Sequence, residues 1–598
     1  MKFPAVILLG LSFAVLVFFF LFIPDLRTAH EPKLHEKNKA AKELLLCGII
    51  TLAYAAAAFT NLGSLSDPET FVSFETGNST VLTLDRPAEI DRLLLYTGID
   101  TGSYTVAFSE DGMTFYTAAK LEQDYAEILK WQEPELLCAP GTRAAFVLVS
   151  AEKGSPRLGE IAVFSGGMQI GLSPENPEDR SAVLLCDEQE KVPEDVSYLN
   201  SSYFDEVYHV RTALEHMEGK RPYEISHPPL GKLIISLGML LFGTVPFGWR
   251  FMGALFGVLM LPAMYAFLKK IAGGLLVPAC GTLLLASGFM HFTQTRIATI
   301  DTYAVFFIIL MYYFLYRWIC DEKNSDLSLS GLFFGLGAAS KWTCIFAGAG
   351  LAVIWLVFRL YKLFGEGGPD RKKLKELALN CAWCILFFVL IPGLIYYLSY
   401  FPYGIANGLK VPEMFFTGEY AKIVADNQAF MLSYHEGVTA TYPYSSRWYQ
   451  WILDIRPILY YLKYYPGGRY SSIAAFVNPL ICWGGLAAMM MLAVHALIRK
   501  DKTAAFIVCG WLAQLLPWIF VKRVVFEYHY FPSSVFLVLS LAYLFAFVRG
   551  KRHGKTVIIG FTSFAVLLFV LFYPVISGLP ADRTAYSAWM SWLPTWPF

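Results

Sequence analysis

Apolar and polar residues alternate along this chain on two length scales, and the change of scale marks its parts. Over most of the 598 residues the apolar positions come in long blocks, and about 20 such residues suffice for a helix to cross a bilayer. The first block runs from Met1 to about Pro24. It is long, has only Lys2 ahead of it and lacks a small-x-small cleavage site, so it reads as a retained helix and not a signal peptide. Arg27, Lys33, Lys37, Lys39 and Lys42 follow in a short loop, which the positive-inside rule places in the cytoplasm. A second helix, about Glu43 to Thr60, returns the chain outward. Further spans are expected near 249–267, 272–290, 301–317, 328–340, 343–358, 378–399, 473–497, 503–520, 529–547 and 556–575. Their inner ends carry Lys269 and Lys270, then Arg359 to Lys375, Arg499 to Lys502 and Arg549 to Lys555. Twelve spans with both termini outside satisfy every basic loop. Leu230 to Phe242 is apolar but short for a span and is expected to lie along the outer surface.

Residues 62–170 follow a different rule. Short runs such as Thr80-Val81-Leu82-Thr83-Leu84, Arg92-Leu93-Leu94-Leu95-Tyr96 and Tyr104-Thr105-Val106-Ala107-Phe108 are separated by turn signals at Gly77-Asn78, Asp100-Thr101-Gly102 and Glu110-Asp111-Gly112. That spacing predicts an external β-sandwich. The order of these segments looks like a discoidin-type (galactose-binding-like) jelly roll. The likeness implies carbohydrate or surface binding; a purely structural insertion stands beside it as an equal reading.

Composition agrees with the pattern: 56% of the residues are hydrophobic and 16% charged, which reads as a polytopic membrane protein, and no nucleic-acid partner is expected. The ten cysteines show no metal-ligand spacing. Cys381 and Cys384 lie inside an apolar span and read as small buried residues; pairing of Cys138 with Cys186 is left open. No glycine-rich phosphate loop and no H-E-x-x-H occurs, so neither a nucleotide domain nor a metal is expected.

The candidate chemistry begins at Tyr203–Lys232. Asp205 and Glu206 are adjacent carboxylates flanked by Phe204, Val207 and Tyr208, and His227-Pro228-Pro229 breaks the chain just before a new helix. Carboxylates where the chain meets the membrane are functional candidates, with a solvated surface loop as the bland alternative. The other unusual polar residues also fall on the expected outer side: Arg296 and Asp301, Lys341, the segment from His435 to Arg456, and Arg523 with His529. A transporter would carry such groups near mid-membrane and show repeated halves, and no internal repeat is present.

These residues carry a resemblance. Phe-Asp-Glu-Val-Tyr-His at 204–209, His-Pro-Pro-Leu-Gly-Lys-Leu at 227–233, Phe-Gly-Trp-Arg at 247–250, Thr-Arg-Ile-Ala-Thr-Ile-Asp at 295–301, Gly-Ala-Ala-Ser-Lys-Trp-Thr at 337–343, the aromatic loop from Tyr434-His435 to Arg456-Pro457 and the ending at 573–598 resemble the protein O-mannosyltransferase family, of GT-C type. The resemblance spans about two-thirds of the chain. It implies a polytopic α-helical glycosyltransferase with two N-terminal helices (1–61), an inserted sandwich (62–170), an external catalytic loop with interfacial helices (171–246) and a multispanning core (247–598) with an outer loop at 400–470. It departs in two places. The β-trefoil of eukaryotic members is missing, and Tyr442-Pro443-Tyr444 stands where the family often has His-Pro-Tyr.

The resemblance further implies an inverting transfer of mannose from a polyprenyl phosphate to Ser or Thr of an exported polypeptide, at the outer face of a bacterial plasma membrane. The lipid-linked sugar is a co-substrate and no other cofactor is expected. Asp205 and Glu206 are expected as the catalytic residues, Asp205 as the general base and Glu206 as its neighbour. Lys341, Arg296 and Arg523 are expected at the donor phosphate, with interfacial snorkelling as their ordinary alternative. His227, Asp301, His435, Tyr444, Trp448 and Arg456 are expected at sugar or acceptor, with Asp301 also able to pair with Arg296. Two rival readings remain: a related transferase acting on an envelope glycan or lipid, and a transporter or flippase of lipid-linked sugar.

Overall fold

The computed structural model describes residues 3–29, 40–139, 141–365, 368–439 and 442–598. Met1, Lys2 and the basic-loop residues Lys33, Lys37 and Lys39 lie outside them. The chain forms two compact units. One comprises residues 61–215 and 235–252, the other 1–60, 216–234 and 253–598.

The smaller unit contains the expected sandwich, built of two five-stranded antiparallel sheets. In one, Val72–Ser73, Arg157–Ser165, Arg92–Thr97 and Lys130–Gln132 lie side by side, with Met168–Ile170 also on Arg157–Ser165. In the other the order is Leu172–Pro174, Ser79–Glu89, Arg143–Gly154, Gly102–Ser109 and Tyr116–Gln123. Leu93, Leu95, Ile161 and Val163 from the first meet Leu82, Val106, Val147 and Val149 from the second in one core. Burial alternates along Ser79–Leu84, as the sequence pattern predicts, because only one face of that strand meets the core. Cys138 and Cys186 pack against the same core as free thiols.

The larger unit is a helical membrane bundle. Among the described residues ten helices are long and apolar enough to cross a bilayer, and Leu276–Ala286 with Phe289–Thr295, a pair bent by 58° at Ser287-Gly288, is an eleventh candidate. Twelve spans were expected. The span expected near 328–340 corresponds to Asn324–Ser340, a helix of 17 residues that carries Asp326 and three glycines and runs back along Asp301–Asp321 to bring Lys341 beside Asp301. Within Arg371–Ala406 one turn, Leu386–Leu390, winds as a π-helix just before Pro392, whose ring removes a helical donor. Phe531–Val548 is buried at every residue, the mark of a helix at the centre of a bundle.

The polar segment at 400–470 is more ordered than its composition suggests. It holds the 20-residue helix Gly418–Gly437, the short helix Trp448–Trp451 and the first strand of a hairpin, Ile458–Tyr465 with Arg469–Ala475. The hairpin turns at Gly467 and Gly468, with φ of 76° and 78°, a conformation side-chain-bearing residues avoid.

Candidate active site

Asp205 and Glu206 stand at the start of the helix Glu206–Met217, and the structure gives them opposite surroundings. Asp205 is partly exposed and its carbonyl accepts the N–H groups of Tyr208 and His209 at 3.1 and 3.2 Å. The helix dipole favours negative charge at that end. Phe204, immediately before it, has φ of 50°, a strained value for a bulky residue that the surrounding contacts must hold.

Glu206 supplies much of that hold. It is fully buried and forms a fork-to-fork pair with Arg250, Nε to Oε1 and Nη2 to Oε2, both at 2.7 Å. Arg250 spends its remaining donors on the carbonyls of Leu62 (3.0 Å), Tyr198 (2.6 Å) and Ser201 (2.9 Å). Its five N–H groups thus have five acceptors. Its guanidinium lies 4.8 Å from the Tyr203 ring centroid, and the Tyr203 N–H donates to Glu206 at 3.2 Å. The segment ahead of Asp205 is therefore pinned at positions 198, 201 and 203. Both Glu206 oxygens are occupied by these donors and lie out of solvent.

The membrane unit contains a second polar cluster. Lys341 ends the helix Asn324–Ser340 and is bonded to both oxygens of Asp301 at 2.7 and 2.8 Å. Asp301 begins the helix Asp301–Asp321, and its counter-ion is Lys341, not Arg296 as the sequence spacing suggested. The helix of Leu230 approaches here at Gly231, where a Cβ would lie 2.7 Å from Ile300 Cγ2. The break at His227-Pro228-Pro229 is tied inward. Lys232, fully buried, donates to the carbonyls of Glu224 (2.7 Å) and His227 (3.2 Å) and pairs with the Glu224 carboxylate.

Helix Gly418–Gly437 grips the same loop. Asn427 Nδ2 donates to the Ile225 carbonyl at 2.9 Å, and His435 Nε2 to that of Ser226 at 2.9 Å. The rings of His227 and His435 lie 5.4 Å apart. Burial is the largest influence on both imidazoles and lowers both, His435 to about 4; for His435 the neighbouring His227 and Arg523 act in the same direction. Both rings are therefore neutral hydrogen-bonding groups near pH 7. A histidine depressed on folding contributes stability that is complete above its unfolded value near 6.5 and is lost as pH falls towards 4. The gap in apparent melting temperature between the wild type and His435→Gln should accordingly change as the pH falls through that window, the wild type losing more; a gap independent of pH would contradict the assignment.

The remaining candidates divide. Arg523 is half-buried, acts electrostatically on His435 and His529, and makes no hydrogen bond or ion pair among the described residues. Arg296 instead closes the end of the helix Ala40–Phe59, donating to the carbonyls of Ala58 (3.1 Å) and Thr60 (2.7 Å), with its guanidinium 4.7 Å from the Phe292 ring. It serves as a C-terminal helix cap. Arg456 binds the Pro443 carbonyl, and Tyr444 and Trp448 are half-buried in the same loop. Sequence reasoning missed Arg250, Lys232 and Glu224. The first two lie inside motifs that were recognised, and each is a charge at the head of an apolar helix, which was the available signal.

Comparison with known proteins adds the family. Residues 226–397 match the profile described as dolichyl-phosphate-mannose-protein mannosyltransferase, and residues 421–596 the C-terminal four-span region of protein O-mannosyltransferase. A polyprenol-phosphate-mannose–protein mannosyltransferase of Mycolicibacterium smegmatis is 24% identical over 431 residues, 62% of this chain and 82% of the relative. One of Mycobacterium tuberculosis is 24% identical over 443 residues, 62% and 81% of the two chains. Among solved structures, a chain of the Saccharomyces cerevisiae protein O-mannosyltransferase Pmt1-Pmt2 complex bound to the sugar donor superposes with a TM-score of 0.58 at 13% identity, over 66% of this chain and 89% of that one. The membrane bundle, the order of the motifs within it and both family profiles agree, and the chain belongs to the protein O-mannosyltransferase family of GT-C membrane glycosyltransferases.

Proposed function

We propose that this protein transfers mannose from a polyprenyl-phosphate donor to Ser or Thr hydroxyls of exported polypeptides at the outer face of the plasma membrane, with inversion at the sugar. The observation that carries the reading is the contrast at the carboxylate doublet. Asp205 is partly exposed at a helix start, and the buried Glu206–Arg250 pair holds the chain behind it. A lipid-linked sugar already bears its leaving group, so the protein must supply a base for the acceptor hydroxyl and stabilise charge on the departing phosphate. Asp205 is the base. The relatives' names supply the donor and acceptor classes.

Arg523 suits the phosphate better than Lys341, because Asp301 already neutralises Lys341. A charge-assisted contact of about 1.5–3 kcal/mol makes the expected loss in Arg523→Ala roughly ten- to hundredfold in kcat/KM for the donor. A change below about twofold would remove Arg523 from the phosphate site.

The donor class is tested by offering polyprenyl-phosphate mannose and a nucleotide-linked mannose to the purified protein with a Ser/Thr-rich peptide. Transfer is expected from the lipid donor alone, giving the α-anomer from a β-linked donor. Use of the nucleotide sugar, or retention of configuration, would overturn the proposal.

A further inference from the structure

Two carboxyl groups that no step above uses lie together inside the membrane unit. Asp454 follows the short helix Trp448–Trp451, and Glu527 opens the turn before the central helix Phe531–Val548. Both are fully buried. Asp454 Oδ1 accepts the Val477 N–H at 3.0 Å, while its Oδ2 and both Glu527 oxygens have no protein donor among the described residues. The two carboxyl groups act directly on each other. Ionised carboxylates only accept, so a bond between them requires a proton. Burial pushes the Asp454 carboxyl up to about 6, against the opposing pull of Glu527 and the Val477 N–H. The other titratable groups facing the pair are the Cys482 thiol and the Tyr530 phenol, and no positive side chain among the described residues acts on it.

The pair joins two segments that carry candidate site residues. Asp454 adopts φ of 58°, and its carbonyl accepts the Trp596 Nε1 proton at 2.9 Å. Upstream, the Ser446 N–H donates to the Val525 carbonyl at 2.9 Å, Trp451 Nε1 donates to Ser446 Oγ at 2.9 Å, and the Trp451 ring stacks on His529. Between the segments lies a pocket of about 540 Å³, lined among others by Glu436, Ser446, Arg447, Gln450, Lys522 and Arg523.

We infer that Asp454 and Glu527 share a single proton, and that this neutralised carboxyl pair is a positioning element that holds Arg447 and Arg523 across the pocket for the transfer reaction. With the proton present the two segments are clipped together. Without it, two like charges face each other out of water and the clip opens. The role in transfer rests on the function proposed above; the proton does not.

The test uses the purified full-length protein and the variants Glu527→Gln and Asp454→Asn, in which an amide donates where the shared proton did. Wild-type-minus-variant infrared difference spectra at neutral pH should show a protonated-carboxyl C=O band that is lost in either variant. A carboxyl raised on folding contributes stability that is complete below its unfolded value and lost as pH rises through the folded one. Relative to Glu527→Gln, the wild-type melting temperature should therefore drop as pH rises above about 4 and go on dropping beyond 6, where the shared proton is the last to leave, so the two pH slopes should differ. A band that survives in both variants, or an unchanged slope, overturns the inference. So does a chelator that lowers the wild-type melting temperature but not that of Glu527→Gln, because a cation would then occupy the proton's place. For the positioning role, Glu527→Ala should lose about 100-fold in transfer rate and Glu527→Gln should recover most of it. Full activity in Glu527→Ala overturns that role. If the wild type transfers no mannose at all, the functional reading fails while the infrared and melting results still decide the shared proton.

Discussion

Asp205→Asn should abolish most of the transfer activity and leave the fold alone. Asparagine matches aspartate in shape and serves equally well at a helix start, so the change in stability is expected to stay within about 0.5 kcal/mol. What it loses is the capacity to take a proton. General-base catalysis contributes about 10²–10⁴-fold, and the loss should appear in kcat while the KM for donor and peptide stays close to that of the wild type. Initial rates with both substrates varied, on protein whose melting curve matches the wild type, read this directly. A loss of less than about tenfold would mean that another group, or water, accepts the proton.

The second large effect falls on stability. Arg250→Ala leaves the Glu206 carboxylate buried without its counter-ion, and breaking a buried pair in this way costs about 3–5 kcal/mol. Replacing both partners by apolar residues is often harmless elsewhere, but three backbone carbonyls here also depend on Arg250. Each unsatisfied buried carbonyl costs about 1–3 kcal/mol, so the double variant Glu206→Leu/Arg250→Met should also be destabilised. Arg250→Lys is no rescue, because an ammonium offers three donors in place of a five-donor fork. Thermal unfolding and limited proteolysis of residues 198–206 in detergent would both register the loss. Wild-type stability in Arg250→Ala would show that the pair does not hold this segment.

Much of this architecture was legible because it rests on local rules. The membrane spans follow from apolar length and the basic loops, and the sandwich from period-two runs bounded by turns. What escaped was long-range pairing. Asp301 has Arg296 five residues away, yet its partner is Lys341, 40 positions on. Glu206 was readable as half of a carboxylate doublet, but nothing near it in sequence points to Arg250, 44 residues away. Asp454 reads as an ordinary loop acid; only the fold brings it to Glu527. The hairpin at 458–475 did have a signal, Pro466-Gly467-Gly468 between alternating runs, which the density of aromatic residues obscured.

The central claim is that the sugar ends on a polypeptide hydroxyl. It is tested most directly by reconstituting the purified protein in liposomes with radiolabelled polyprenyl-phosphate mannose and a Ser/Thr-rich peptide. The account predicts label in the peptide, released by β-elimination. Label that crosses the bilayer on its lipid without reaching the peptide would contradict it and restore the transporter reading.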